Sequence, residues 1–151
     1  MRTVQNIINS KAKPSNIISS TSMVIDALNK LTAVNLSYLI VMDGNEFKGI
    51  FSERDYTRNV ILKGRASNST TVGDVMSVDV PKVSVTDTVE ECMNMINTHK
   101  TRYLLAYDDG QFVGVVTIHD LLRQVISSRE DVFNQNLTRS MIDYDEGSKI
   151  Y

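Results

Sequence analysis

Apolar residues recur at helical spacing in two places along the chain. Val24, Ala27, Leu28 and Leu31 fall at i, i+3, i+4 and i+7, and so do Val89, Cys92, Met93 and Ile96. That spacing gathers one apolar stripe on each of two amphipathic helices, predicted over roughly 22–34 and 88–99. Thr88 and Glu91 have capping-box spacing at the start of the second. Each helix is followed by an unbroken apolar run, Tyr38–Met42 and Tyr103–Tyr107. Turn residues come next, Asp43-Gly44-Asn45 and Asp108-Asp109-Gly110, and then a second run over 47–51 and 112–116. Two strands joined so closely through Asp and Gly form a hairpin. A further helix starts at Ser52 and at Thr117, so the pattern in each half is strand, helix, strand, strand, helix.

The two halves are copies. Displaced by 65 residues, 18–55 lies over 83–120 without a gap, with identities at ten of 38 positions, among them Tyr38/Tyr103, Gly49/Gly114 and Asp55/Asp120. Upstream, Val4-Gln5-Asn6-Ile7-Ile8 matches Val72-Gly73-Asp74-Val75-Met76 after three extra residues. Two copies are too few for a solenoid. The organisation read from this is a first repeat over 1–62 with its N-terminal segment, a polar connector over 63–71, a second repeat over 72–132 and a tail over 133–151. From about Leu137 the chain reads either as a mobile tail or as a small packing arm.

One phrase closes both hairpins: Gly49-Ile50-Phe51-Ser52-Glu53-Arg54-Asp55 and Gly114-Val115-Val116-Thr117-Ile118-His119-Asp120. A hydroxyl at a strand end, followed three residues later by Asp, sets two oxygen-bearing side chains on the first turn of a helix. The unpaired N–H groups there suit a polar or anionic ligand. The same residues also make an ordinary helix cap, with Ser52 and Thr117 as N-caps and each Asp favouring the first turn. The residues alone leave both readings open.

Charge changes the picture only locally. The chain of 151 residues carries a formal charge of −2, which argues against non-specific nucleic-acid binding. Arg54, Arg58, Lys63 and Arg65 nevertheless form a basic cluster in the first half, suited either to phosphate or to a solvated helix face. In the second half His119 stands where Arg54 does, a weaker and pH-dependent partner. The single cysteine, Cys92, excludes an internal disulfide and lies on the core stripe of its helix. No apolar run approaches the ~20 residues of a membrane span, and the first thirty residues lack a secretory apolar core. A cytoplasmic location without membrane contact is the expectation.

The tandem strand-helix-strand-strand-helix pattern, with Gly-apolar-apolar-Ser/Thr-x-x-Asp closing each hairpin, resembles a pair of CBS domains (a Bateman module) over roughly residues 3–127. The run from Ser52 through Gly64-Arg65-Ala66-Ser67 to Val72–Met76 is similar to the small stand-alone bacterial members. The resemblance implies an α/β (α+β) fold of two β-α-β-β-α repeats about a pseudo-two-fold axis, with two clefts and a tendency to pair into a homodimer. It implies that Asp55 and Asp120 each hold a ribose, whose vicinal hydroxyls a carboxylate can accept, with Ser52 and Thr117 beside them. It places Ile18, Ser19, Tyr38, Leu39 and Ile40 along one adenine slot, and Val83, Ser84, Tyr103, Leu104 and Leu105 along the other. Family members often carry a Pro where Ile40 and Leu105 stand. Lys100 and Arg102 precede the second-copy strand, where the family often sets a basic residue toward phosphate; Asn35 and Ser37 stand there in the first copy. The two clefts are therefore expected to differ.

No Walker loop, dinucleotide fingerprint or nucleophile elbow is present, and His99 and His119 lack metal-ligand spacing. The function expected is a non-enzymatic sensor without catalytic residue, metal or catalytic cofactor. It would bind AMP, ADP or ATP, or else NAD(H) or S-adenosylmethionine, and signal by conformational change to a protein partner or through the dimer. The alternatives are a ligand-free dimerisation or scaffold module and, behind it, nucleic-acid binding through the basic cluster.

Overall fold

Helix α2 (Val24–Val34) starts without a side-chain cap, and the way its first N–H groups are satisfied organises the chain. The structure, a computed structural model, describes residues 2–128 and Met141. The Val24 N–H donates to the Thr70 carbonyl and the Ile25 N–H to the Ser67 carbonyl, each at 2.9 Å. Those carbonyls belong to the polar connector, which is thereby docked as the missing cap. In the other repeat, α5 (Val89–His99) does have a side-chain cap, the Thr88 hydroxyl accepting from the Glu91 N–H at 3.1 Å. There the chain start takes the connector's place, the Val89 N–H donating to the Arg2 carbonyl at 3.1 Å.

Two compact units follow from this docking, one of residues 12–79 and the other of the first eleven residues together with the chain from Val80 on. In the first, β1 (Ile17–Ile18) runs parallel to β2 (Tyr38–Asp43), which pairs antiparallel with β3 (Glu46–Ser52). Helix α3 (Glu53–Asp55) continues as a π-helical stretch, Tyr56–Ile61, and α4 (Val72–Val75) completes the unit. The second holds α1 (Val4–Ser10), then β4 (Lys82–Ser84), α5, β5 (Tyr103–Asp108), β6 (Gln111–Thr117) and α6 (Ile118–Ser128). Its strands repeat the order, parallel then antiparallel. The spatial units thus divide the chain differently from the sequence repeats. The short leading helix of each repeat, α1 or α4, folds with the hairpin of the other.

The helices and hairpins agree with their predicted spans. Val24, Ala27 and Leu31 are buried with Leu39, Val41, Phe51 and Val60 in one core. Val89, Cys92, Met93 and Ile96 join Val4, Ile7, Leu104, Val116 and Leu121 in the other. Cys92 is a buried packing residue, and its burial, with Asp87 and Glu91 nearby, pushes the thiol up to about 12. Each hairpin has a bulge at the same place, between Val41 and Met42 and between Ala106 and Tyr107. The predicted tail lies outside the described residues except for Met141, which is buried in the second core.

The Gly that opens the repeated phrase has a packing role. Ile50 and Ser77, just beyond α4, exchange backbone bonds of 2.9 and 2.8 Å. A Cβ on Gly49 would lie 2.7 Å from the Ser77 carbonyl oxygen. Gly49→Ala is therefore expected to cost about 1–3 kcal/mol, the usual range for overpacking, measured as a lower urea midpoint. An unchanged midpoint would mean that the α4 segment yields freely.

Candidate functional site

The strand-to-helix corner is built alike in both units. Ser52 ends β3 as the N-cap of α3, its hydroxyl accepting from the Asp55 N–H at 3.2 Å. Asp55 answers through Oδ2, which accepts from the Ser52 N–H at 2.8 Å and the Ser52 hydroxyl at 2.9 Å. In the other unit the Thr117 hydroxyl accepts from the Asp120 N–H at 3.1 Å, and Asp120 Oδ2 accepts from the Thr117 N–H at 2.9 Å. The sequence left cap and site as alternatives, and the capping geometry is present at both corners. Both carboxylates are nearly enclosed, Asp55 6% and Asp120 4% exposed.

What fills the remaining acceptor positions differs. Asp55 Oδ1 accepts from the Ser77 hydroxyl at 2.6 Å, a neutral partner from the segment after α4. Asp120 takes two cations. The Lys11 ammonium donates to Oδ2 at 2.8 Å and to the Val115 carbonyl at 2.8 Å, and the Arg123 guanidinium donates to Oδ1 at 2.5 Å. Burial pushes the Asp120 carboxyl up, but Lys11, the Thr117 N–H and Arg123 outweigh it and hold it below the usual carboxylate value. Asp120 is therefore a carboxylate at neutral pH, and the corner carries one net positive charge.

Register brings the predicted slot residues alongside. Tyr38 pairs with Ser52 and Tyr103 with Thr117, so the start of each central strand lies beside its corner. The Tyr38 carbonyl accepts from the buried Asn16 amide at 3.2 Å. Ile18 and Leu39 belong to the core of one unit, and Val83 and Leu104 to that of the other. Their side chains pack inward, and each of β2 and β5 is the middle strand of its sheet, paired on both sides. Ile40 pairs with Ile50 one residue further along, on the other face of the sheet. Ser19 bonds Asp43 Oδ1 at 3.1 Å, within a set of Ser20 and Ser19 donors that lowers the Asp43 carboxyl. Ser84 is engaged with Thr86 at 3.0 Å.

Arg54 is half-buried, while Arg58, Lys63 and Arg65 are exposed, Arg65 reaching the Asp74 carbonyl at 3.4 Å. Lys100 is the left-handed C-cap of α5, at φ 52°, equivalent to Asn35 at the end of α2. Arg102 is half-buried and His119 exposed. Among the described residues no group of three His, Cys, Asp or Glu could hold a metal ion, and no helix is long and apolar enough to cross a membrane.

Lys11, Arg123 and Ser77 were not anticipated from the sequence. Arg123 was within reach: the 65-residue displacement carries Arg58 onto it. Arg58 itself lies in the π-helical stretch, where the wider winding no longer stacks i+3 over i. Lys11 and Ser77 had no such signal, because both arrive from a leading segment that folds with the other repeat's hairpin.

The CBS domain family model matches residues 7–61 and 72–127, both repeats. The chain belongs to the CBS-domain family. It is 29% identical over 138 residues to the mitochondrial CBS domain-containing protein CBSX3 of Arabidopsis thaliana, across 85% of this chain and 67% of that protein. A CBS-domain protein from Burkholderia ambifaria has a solved structure with 30% identity and a TM-score of 0.75, covering 87% of this chain and 99% of its own. The structure of CBSX2 in complex with AMP shares the fold at 21% identity and a TM-score of 0.67, over 86% of this chain and the whole of that one. The chain is thus a CBS pair, the regulatory module of its relatives.

The two corners differ in how their carboxylates depend on charge, and pH exposes this. Because the folded-state value of Asp120 is depressed, its stabilisation is complete above the unfolded value of about 3.9 and is lost as pH falls through the folded value. Asp120→Asn should flatten the fall in unfolding midpoint below about pH 4 relative to the parent chain. Coincident acid limbs would show that the Lys11–Asp120–Arg123 group adds nothing to stability.

Proposed function

We propose that this CBS pair is a sensor for an adenosine-containing ligand, with AMP, ADP and ATP first and NAD(H) or S-adenosylmethionine as further candidates. The observation that carries the proposal is the duplicated corner. At each, a buried carboxylate and a hydroxyl stand at the start of a helix, beside the start of the central strand of the sheet. Asp55 and Asp120 each use three of about four acceptor positions, so each has one left for a ribose hydroxyl. The AMP complex of CBSX2, a protein of the same fold, supports the ligand class.

The mechanism is a population shift. A ligand changes the arrangement of the pair only as far as it binds one arrangement better than another. The reader of that shift is a second copy of the chain or a protein partner. No catalytic step is involved.

A second reading has its own observation. Both carboxylates are already satisfied as helix caps, Asp55 by neutral groups alone, as they would be in a ligand-free scaffold. Thermal unfolding with AMP, ADP, ATP, NADH and S-adenosylmethionine separates the two. A ligand at 100 times its Kd adds about 2.7 kcal/mol, and Asp55→Asn and Asp120→Asn should each reduce the shift. If none of the five compounds raises the midpoint, the scaffold reading stands and the sensor reading is lost.

A further inference from the structure

The two corners share their fold but not their charge, and the difference comes from Lys11 of the leading segment together with Arg123 of α6. The chain leaves α1 in extended conformation at Lys11, and this turn delivers the side chain to the corner of β6 and α6. There its ammonium is held at two points, Asp120 Oδ2 and the Val115 carbonyl, both 2.8 Å away. Lys11 keeps 31% of its side chain exposed and Arg123 keeps 68%, whereas Asp120 is enclosed. Solvent, and any solute, therefore meets the two cations before it meets the carboxylate. At the other corner, among the described residues, Asp55 meets hydroxyl and backbone donors from Ser52 and Ser77.

A neutral diol finds one acceptor position left on Asp120, at Oδ1, so its second hydroxyl competes with a bond already made, and it offers Lys11 nothing in exchange. A ligand carrying phosphate gives both cations a new acceptor, and Arg suits it through its planar fork. The Asp120 carboxylate repels such an anion, but two cations stand against its single charge. Asp55 has no cation among its described partners and so lacks that basis for a preference.

We propose that Lys11, with Arg123, is the specificity-determining element of the second corner, making it selective for ligands that carry phosphate, while the Asp55 corner accepts neutral ribosides equally well. This rests on the sensor reading for the riboside part of the ligand, but the anion preference stands on the Lys11–Asp120–Arg123 geometry alone.

The experiment compares adenosine, AMP, ATP and inorganic pyrophosphate by isothermal titration and thermal shift on the full chain. The variants are Lys11→Met, Lys11→Arg, Arg123→Gln and Asp55→Asn. In the Asp55→Asn background ATP is expected to bind at least about tenfold tighter than adenosine, the scale of one charge-assisted bond. Lys11→Met and Arg123→Gln should each remove most of that ratio, and Lys11→Arg should retain it, which separates a charge effect from damage to folding. Pyrophosphate should raise the midpoint of the parent chain and of Asp55→Asn but not of Lys11→Met. If adenosine compounds bind and the ATP-to-adenosine ratio survives Lys11→Met, this proposal is overturned and the sensor reading stands. If none of the nucleosides or nucleotides binds while pyrophosphate acts through Lys11, the sensor reading falls and the anion selectivity stands. If pyrophosphate and nucleotides both fail to bind, both proposals fall.

Discussion

Each unit turns on a short reciprocal grip at the end of its hairpin. The strand ends in a hydroxyl residue, the helix begins, and an Asp three positions on reaches back to the strand-end N–H while the hydroxyl accepts from the Asp N–H. Two donors that a helix start would leave unsatisfied are thereby paired inside a nearly water-free corner, where an unpaired donor costs roughly 1–3 kcal/mol. The grip also fixes where the carboxylate stands. Its remaining acceptor positions are left for other partners, one of which the leading segment supplies.

What the fold supplies is a leading segment in each case. Ser77, following α4, closes on Asp55, and Lys11, following α1, closes on Asp120. The same exchange satisfies the first turns of α2 and α5 through Thr70, Ser67 and Arg2, and it demands the Gly at position 49. Helix capping, hairpin packing and the chemistry of the two corners are therefore one structural device.

This device also explains how one residue type serves two ends. A buried Asp capping a helix looks structural, and a buried Asp with acceptor capacity left looks like a binding group. The geometry makes it both, because a carboxylate has about four acceptor positions and the cap consumes only one or two of them. The difference between the corners then lies in their third partners: a hydroxyl leaves Asp55 as the dominant charge, whereas Lys11 and Arg123 reverse the sign around Asp120.

The sequence by itself determined what depends on local period and on the repeat. The stripe Val24-Ala27-Leu28-Leu31 and its copy, the Asp-Gly turns and the Ser/Thr-x-x-Asp corners are encoded within a few residues of one another, so the helices, hairpins and caps were legible, as was the family. Cys92 as packing was legible for the same reason. Partners contributed across long separations were not. Lys11 meets Asp120 across 109 residues and Ser77 meets Asp55 across 22, and neither pairing follows from periodicity. Of the basic cluster that stood out along the chain, Arg58, Lys63 and Arg65 are exposed and Arg54 is half-buried, while the cations bonded to Asp120 are Lys11 and Arg123. Adjacency in sequence accounts for Arg123 beside Asp120, but not for Lys11, because the exchange of leading segments decides which distant side chains meet.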